Sequence, residues 1–271
     1  MADTTENQEN TSSRANDGSG DCPPNSNQPN SNQRNPVLAH MMQHKVETTL
    51  WLTRIFTVIC SVLFLLPILG GNPYSFYHRA LLSAAATSAL RLHQRLPNVQ
   101  LNMAFLRDLF AEDASHYLMY CIIFLNTYPM TMSLIPVFLF ALLHACSFTK
   151  TVLNLMGPQS LMFVRGMITK LEAQQVNILR FIASTEIFLM PAIVILIFSG
   201  KATIFLPFIY YRFLALRYTS RRNPYNRYLF AEFRQATEYL CTKPQCPQIV
   251  RNLLHKGIWF VSRLGPEVQA S

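Results

Sequence analysis

An all-α, polytopic integral membrane protein, built of helical hairpins and ending in cytosolic amphipathic helices, is the architecture that three observations select. Half of the 271 residues are hydrophobic and only 14% are charged, well below the roughly one quarter usual for a soluble domain. The few charges are mostly basic, for a net +9, as in membrane proteins that keep excess Lys and Arg on one side. The apolar segments also come in pairs, each joined by a short turn and flanked by Lys or Arg.

Residues 1–36 are rich in Asn, Ser and Pro, and their five acidic residues outnumber Arg14 and Arg34. With so few aliphatic side chains they cannot offset the entropy of ordering, and disorder is expected. No basic stretch followed by an apolar core stands at the start, so the first apolar segment is expected to serve as an uncleaved insertion signal. The membrane body is expected over 37–220 and a basic tail over 221–271.

Residues 50–70, LWLTRIFTVICSVLFLLPILG, suffice to cross about 30 Å of hydrocarbon at about 1.5 Å per residue. Trp51 and Arg54 at its start suit an interface. After GGNPYS comes FYHRALLSAAATSALRLHQRLP, whose small side chains let helices approach closely; it either crosses or lies in the interface. The second pair flanks NTYPM, where Asn126 and Pro129 supply turn chemistry. The third runs from NILRFIASTEIFLMPAIVILIFSG through Lys201 into TIFLPFIYYRFLALR.

Basic flanks place the bases of the pairs and both termini in the cytosol and the tips in the lumen. The second, third and sixth arms hold only about 11 to 16 strongly apolar residues against the roughly 20 of an ordinary span. Three to six crossings are therefore expected. At the end of the last arm, Tyr210, Tyr211 and Tyr218 read as an interfacial belt, with Arg217, Arg221 and Arg222 on the cytosolic side. Nucleic-acid binding fits poorly, because this basic cluster adjoins a membrane segment and no reader motif accompanies it.

Two amphipathic helices are expected in the tail. In the first, Tyr225, Leu229, Phe233, Ala236 and Leu240 recur at spacings of three and four, which places them on one face. In the second, Ile249, Val250, Leu253, Leu254, Val261 and Leu264 share an apolar arc, with Arg251, Lys256 and Arg263 opposite. Nine Lys and Arg against two Glu over 217–263 suit the anionic cytosolic leaflet of a lipid bilayer; packing on the membrane body is the alternative.

Ionisable residues within apolar arms invite a functional reading. Glu186 and Arg212, on adjacent arms of the last pair, are expected to pair with each other. A transporter or channel built on them is the rival, though a pathway usually carries more such groups. Glu112, Asp113 and His116 share a helical face that His144 could approach, yet a di-iron site needs two Glu-x-x-His units and more Glu. His40 and His44 have metal-like spacing without companions. Cys241 and Cys246 lack the second pair of a zinc site, and the six scattered cysteines are no secreted disulfide framework. No nucleophile elbow, phosphate loop or His-Glu-x-x-His occurs, so no catalytic, cofactor or metal site is expected.

The stretches ALRLHQRLP, EIFLMPA and PFIYYRFLALRYTSRRNPY strongly resemble the transmembrane protein 33 family, which takes in Krüppel-homologue-2-like insect proteins and fungal pore-membrane proteins. The resemblance covers about residues 41–266 and leaves out the Asn-rich tail. It implies a non-enzymatic protein of the endoplasmic reticulum and nuclear envelope, associated with reticulon-type proteins and with tubular network organisation. It further implies links to nuclear pore components and to the stress-sensing kinase of the reticulum, as a scaffold for unfolded-protein-response signalling. Fungal relatives use C-terminal amphipathic helices for membrane and import-receptor contact, which residues 225–240 and 249–264 match.

Overall fold

A computed structural model describes residues 36–66, 72–96, 102–157, 160–220, 224–243 and 247–264. The described residues form eleven helices and no strand. The acidic tail over 1–35, with Arg221, Arg222 and Cys246, lies outside them.

The three expected hairpins are present. α2 (Lys45–Leu65) precedes α3 (Pro73–Arg95), α5 (Asp113–Leu125) precedes α6 (Thr131–Leu155), and α8 (Gln175–Phe198) precedes α9 (Leu206–Thr219). Local chemistry sets their ends. The Asn72 side chain accepts from the Tyr74 amide at 3.0 Å, with Pro73 in the first turn of α3, a combination that satisfies a free amide and presets φ. α8 closes with Gly200 at φ +68°. There the Gly200 amide reaches the Ile197 carbonyl at 2.9 Å and the Lys201 amide reaches Leu196 at 3.1 Å, the paired bonds of a Schellman stop.

The six hairpin helices form two layers of three. α6 packs between α2 and α8, while α5 packs between α3 and α9; α2 against α3 and α8 against α9 join the layers. Between α2 and α3 small residues permit close approach, and hydroxyls bridge the seam: Thr57 donates to Ser83 at 3.0 Å and Thr87 to Thr53 at 2.9 Å. The core lies where all six helices meet. Tyr77, Tyr120, Phe124, Tyr210 and Phe213 are fully buried there, and Tyr120 packs on Phe213 at 5.0 Å between ring centroids. Ser133 anchors two of the phenols, sharing a 2.7 Å hydrogen bond with the Tyr77 hydroxyl and accepting one of 2.7 Å from Tyr120 at its carbonyl.

The layers differ in hydropathy, and two of the three helices in one of them are short. α2, α6 and α8 are each long and apolar enough to cross a membrane, and only 22%, 28% and 33% of their apolar windows are buried. Leu52, Phe56 and Ile59 form an outward stripe on α2, surface that water would penalise and lipid would cover. In the other layer α3 is long, with 23 residues, but less apolar, while α5 and α9 have 13 and 14 residues, about 20 Å at about 1.5 Å per residue.

The remaining five helices gather at the hairpin bases. α1 (Pro36–Gln43) packs on α2 and α6, α4 (Met103–Ala111) on α5, and α7 (Met162–Ala173) on α6 and α8. α10 (Tyr225–Thr242) packs on α8 and α9, and α11 (Gln248–Leu264) on α10. The boundary expected at 220 therefore falls within a packed region, with Asn226 and Leu229 of α10 buried.

Candidate functional site

α8 turns Ile182, Glu186, Leu189 and Ile193 inward, at spacings of four, three and four that define one helix face. Glu186 thus occupies a core position and is 0% exposed. α9 buries Leu206, Tyr210, Phe213 and Arg217 on the same period, and Arg217 is 1% exposed.

These two faces bring carboxylate and guanidinium together. Arg217 Nε lies 3.1 Å from Glu186 Oε2, and Asn226 Nδ2, from the first turn of α10, donates to the same oxygen at 2.8 Å. The Tyr117 hydroxyl, from α5, donates to Oε1. Tyr210 donates to the Glu186 backbone carbonyl at 2.7 Å. Arg217 Nη1 reaches Asp113 Oδ1 at 3.4 Å, and the Ser220 hydroxyl donates to that oxygen at 2.8 Å. The guanidinium carbon also lies 5.1 Å from the Tyr117 ring centroid and 5.9 Å from that of Phe140 on α6.

Five helices therefore converge on one buried ion pair. Burying such charges is costly unless hydrogen bonds complete the pair, and donors here engage both carboxylate oxygens. A carboxylate so saturated is suited to locking helices in register rather than to exchanging protons with a substrate.

This geometry corrects the expected pairing of Glu186 with Arg212. Arg212 is exposed; it lies five positions from Arg217, about 140° around the helix at about 100° per residue. Tyr210 and Arg217, expected at the interface, belong to the core because the buried period of α9 runs through both. Tyr211 and Tyr218 are half-buried, and Tyr218 meets Phe230 at 5.8 Å. The other polar candidates separate: Glu112 joins Arg95 at 2.5 Å, His116 Nε2 donates to the Phe110 carbonyl at 2.7 Å, and Arg91 donates to His144 Nε2 at 3.3 Å. Arg217, Tyr117 and Asn226 were missed as partners of Glu186. For Arg217 the signal was present, since Leu206, Tyr210, Phe213 and Arg217 already recur at spacings of four, three and four.

In the tail, α10 divides its apolar side. Leu229 is buried and Phe233 packs on Phe188 of α8 at 5.5 Å, whereas Tyr239 and Leu240 are exposed. α11 leaves its apolar arc open: Ile249, Val250, Leu253, Phe260 and Val261 are exposed, with Leu254 half-buried. Lys256 and Arg263 are exposed and Arg251 half-buried on its opposite side, where the Arg263 guanidinium caps the Trp259 ring at 5.2 Å. The Leu264 side chain lies outside the described residues. α4 and α7 repeat the theme with exposed Met103, Leu106 and Phe110, and with Met162, Phe163 and Met167.

Two layers of apolar hairpins, a buried ion pair that joins them and amphipathic helices at the hairpin bases define a polytopic α-helical membrane protein. A family profile described as Transmembrane protein 33/Nucleoporin POM33 matches residues 29–267, and the chain belongs to that family. It is 55% identical to Transmembrane protein 33 of Homo sapiens over 241 residues, 89% of this chain and 98% of that protein. It is 41% identical to Krueppel homolog 2 of Drosophila melanogaster, over 86% of this chain and 83% of that one. A Transmembrane protein 33 homolog of Caenorhabditis elegans is 39% identical, over 86% of each chain. No solved structure matches.

Proposed function

We propose that this is a non-enzymatic protein of the endoplasmic reticulum and nuclear envelope that organises tubular membrane, through curvature and through reticulon-type partners. Its hairpin bases and both termini face the cytosol. The observation that carries the reading is α11, whose apolar arc is exposed beside a basic face at the base of the bundle. A helix of that kind lies in the interface, buries its apolar side among acyl chains and is drawn to anionic lipid. α4 and α7 present apolar residues at the same end, so inserted area concentrates in one leaflet. The short α5 and α9 behind the long α6 and α8 add to that asymmetry.

Reticulon-type partners, nuclear pore components and the stress-sensing kinase of the reticulum rest on the family resemblance, and the pore also on the words Nucleoporin POM33 in the family's description. A transport role for Glu186 is disfavoured, since Arg217, Tyr117 and Asn226 occupy its carboxylate.

The test is the density of three-way tubule junctions in cells depleted of the protein and rescued with the full chain or with Leu253→Glu/Phe260→Glu. Rescue by the full chain and failure of an equally abundant, correctly localised variant are expected. Equal rescue would remove α11 from the shaping role. An unchanged network on depletion would overturn the reading in favour of a signalling scaffold.

A further inference from the structure

Beside the ion pair, where α3 ends and α5 begins, the bundle holds a partly open cavity of about 260 Å³. One side of it is basic, with Arg54 of α2 and Arg91 and Arg95 of α3, another is apolar, with Val137, Phe140 and Ala141 of α6, and Asp113 of α5 is the one carboxylate among the described residues of its lining.

The arginines around it are unequally matched. Arg95 has Glu112 at 2.5 Å, and Arg217, which also lines the cavity, has Glu186 and Asp113. Arg91 makes its hydrogen bond to a neutral acceptor, His144 Nε2 at 3.3 Å, and is attracted by Asp113 and Glu112 without an ion pair to either. Arg54 has no hydrogen bond or ion pair to any described residue, and it and Arg91 repel each other. Arg217 Nη2 is buried without a hydrogen-bond partner among the described residues. Among the described residues, four guanidinium groups against the carboxylates of Glu112, Asp113 and Glu186 leave the site one negative charge short, with one Arg217 nitrogen unsatisfied beside it.

We propose that this cavity binds a phosphate ester, the headgroup phosphate of an anionic phospholipid, with Arg54 and Arg91 as its charged ligands. The guanidinium fork matches phosphate oxygens in pairs, and basic pockets between membrane helices suit lipid headgroups. Size favours a headgroup over a whole ligand, because the volume falls just below the about 300–1,000 Å³ of ordinary ligand pockets. The α6 wall receives the first apolar carbons, and the acyl chains continue into the bilayer. This site is independent of the membrane-organising role, since occupancy of a bundle cavity requires nothing of α11.

Native mass spectrometry of the full chain in non-ionic detergent tests it, with dioleoyl phosphatidate as probe, dioleoyl phosphatidylcholine as control and inorganic phosphate as competitor. Phosphatidate is expected to bind in preference to phosphatidylcholine, and Arg54→Gln and Arg91→Gln are each expected to weaken it by about tenfold or more. Arg212→Gln, which removes an exposed arginine elsewhere, is expected to change nothing. Ser88→Leu, which fills the cavity margin and keeps every charge, is expected to lower phosphatidate binding as well, and it decides the matter where a Gln variant fails to fold. Displacement by millimolar inorganic phosphate, with the same sensitivity to Arg54 and Arg91, would retain the phosphate site and overturn the lipid as its source. Phosphatidate binding that ignores all three cavity substitutions, or falls equally with Arg212→Gln, would overturn the proposal.

Discussion

The Glu186–Arg217 pair is wholly enclosed, so removing one member strands the other. Breaking a buried pair of this kind costs about 3–5 kcal/mol, and Glu186→Ala is expected to lower the unfolding midpoint in detergent accordingly. Replacing both by apolar residues, as in Glu186→Leu/Arg217→Met, is expected to recover most of that loss, because no charge then remains unpaired. Tyr117→Phe removes one hydrogen bond to the carboxylate and is expected to cost about 1.5–3 kcal/mol. Arg212→Ala, on the exposed side of α9, is expected to stay within about 0.5 kcal/mol of the parent. Chemical unfolding followed by circular dichroism ranks these variants; an Arg212→Ala loss as large as that of Glu186→Ala would contradict the pairing.

At the next level, each hairpin depends on where its helices stop. The turn from α8 to α9 relies on Gly200 at φ +68°, with open space where a side chain would point. Gly200→Ala therefore meets backbone strain alone, and a loss of about 1 kcal/mol is expected from the left-handed conformation in the same unfolding measurement. α11 has no such structural dependence. Its exposed arc predicts that the full-length Leu253→Glu/Phe260→Glu variant unfolds at the parent's midpoint while α11 loses protection from deuterium exchange in anionic bilayers. A fall in the midpoint would instead mean that the arc packs against protein.

The molecule as a whole joins three long apolar helices in one layer to the less apolar α3 and the short α5 and α9 in the other, with amphipathic helices at the hairpin bases. If the bases are cytosolic, a glycosylation acceptor placed in the connection between α8 and α9 is expected to be modified in microsomes. The acceptor at Asn10-Thr11-Ser12 is expected to stay bare. A glycan at Asn10 would invert the orientation and move α11 to the lumen.

Hairpin number, turn positions and the two tail helices were legible in the residues, because apolar runs, Gly, Pro and Asn punctuation and helical spacing act over a few neighbours. NTYPM and SGKA fall at the turns between α5 and α6 and between α8 and α9 for that reason. α4 and α7 escaped notice, since each is a short run whose mixed polarity matches neither a span nor a loop. Family membership was legible as well, carried by stretches such as PFIYYRFLALRYTSRRNPY. The partner of Glu186 was not. Local spacing marked Arg217 as inward-facing, but Tyr117 lies 69 positions away and Asn226 lies 40, and only the packing of α5 and α10 against α8 sets them on one carboxylate. The excess of positive charge around Arg54 and Arg91 is equally invisible along the chain, since an arginine's partners are settled by which helices close around it.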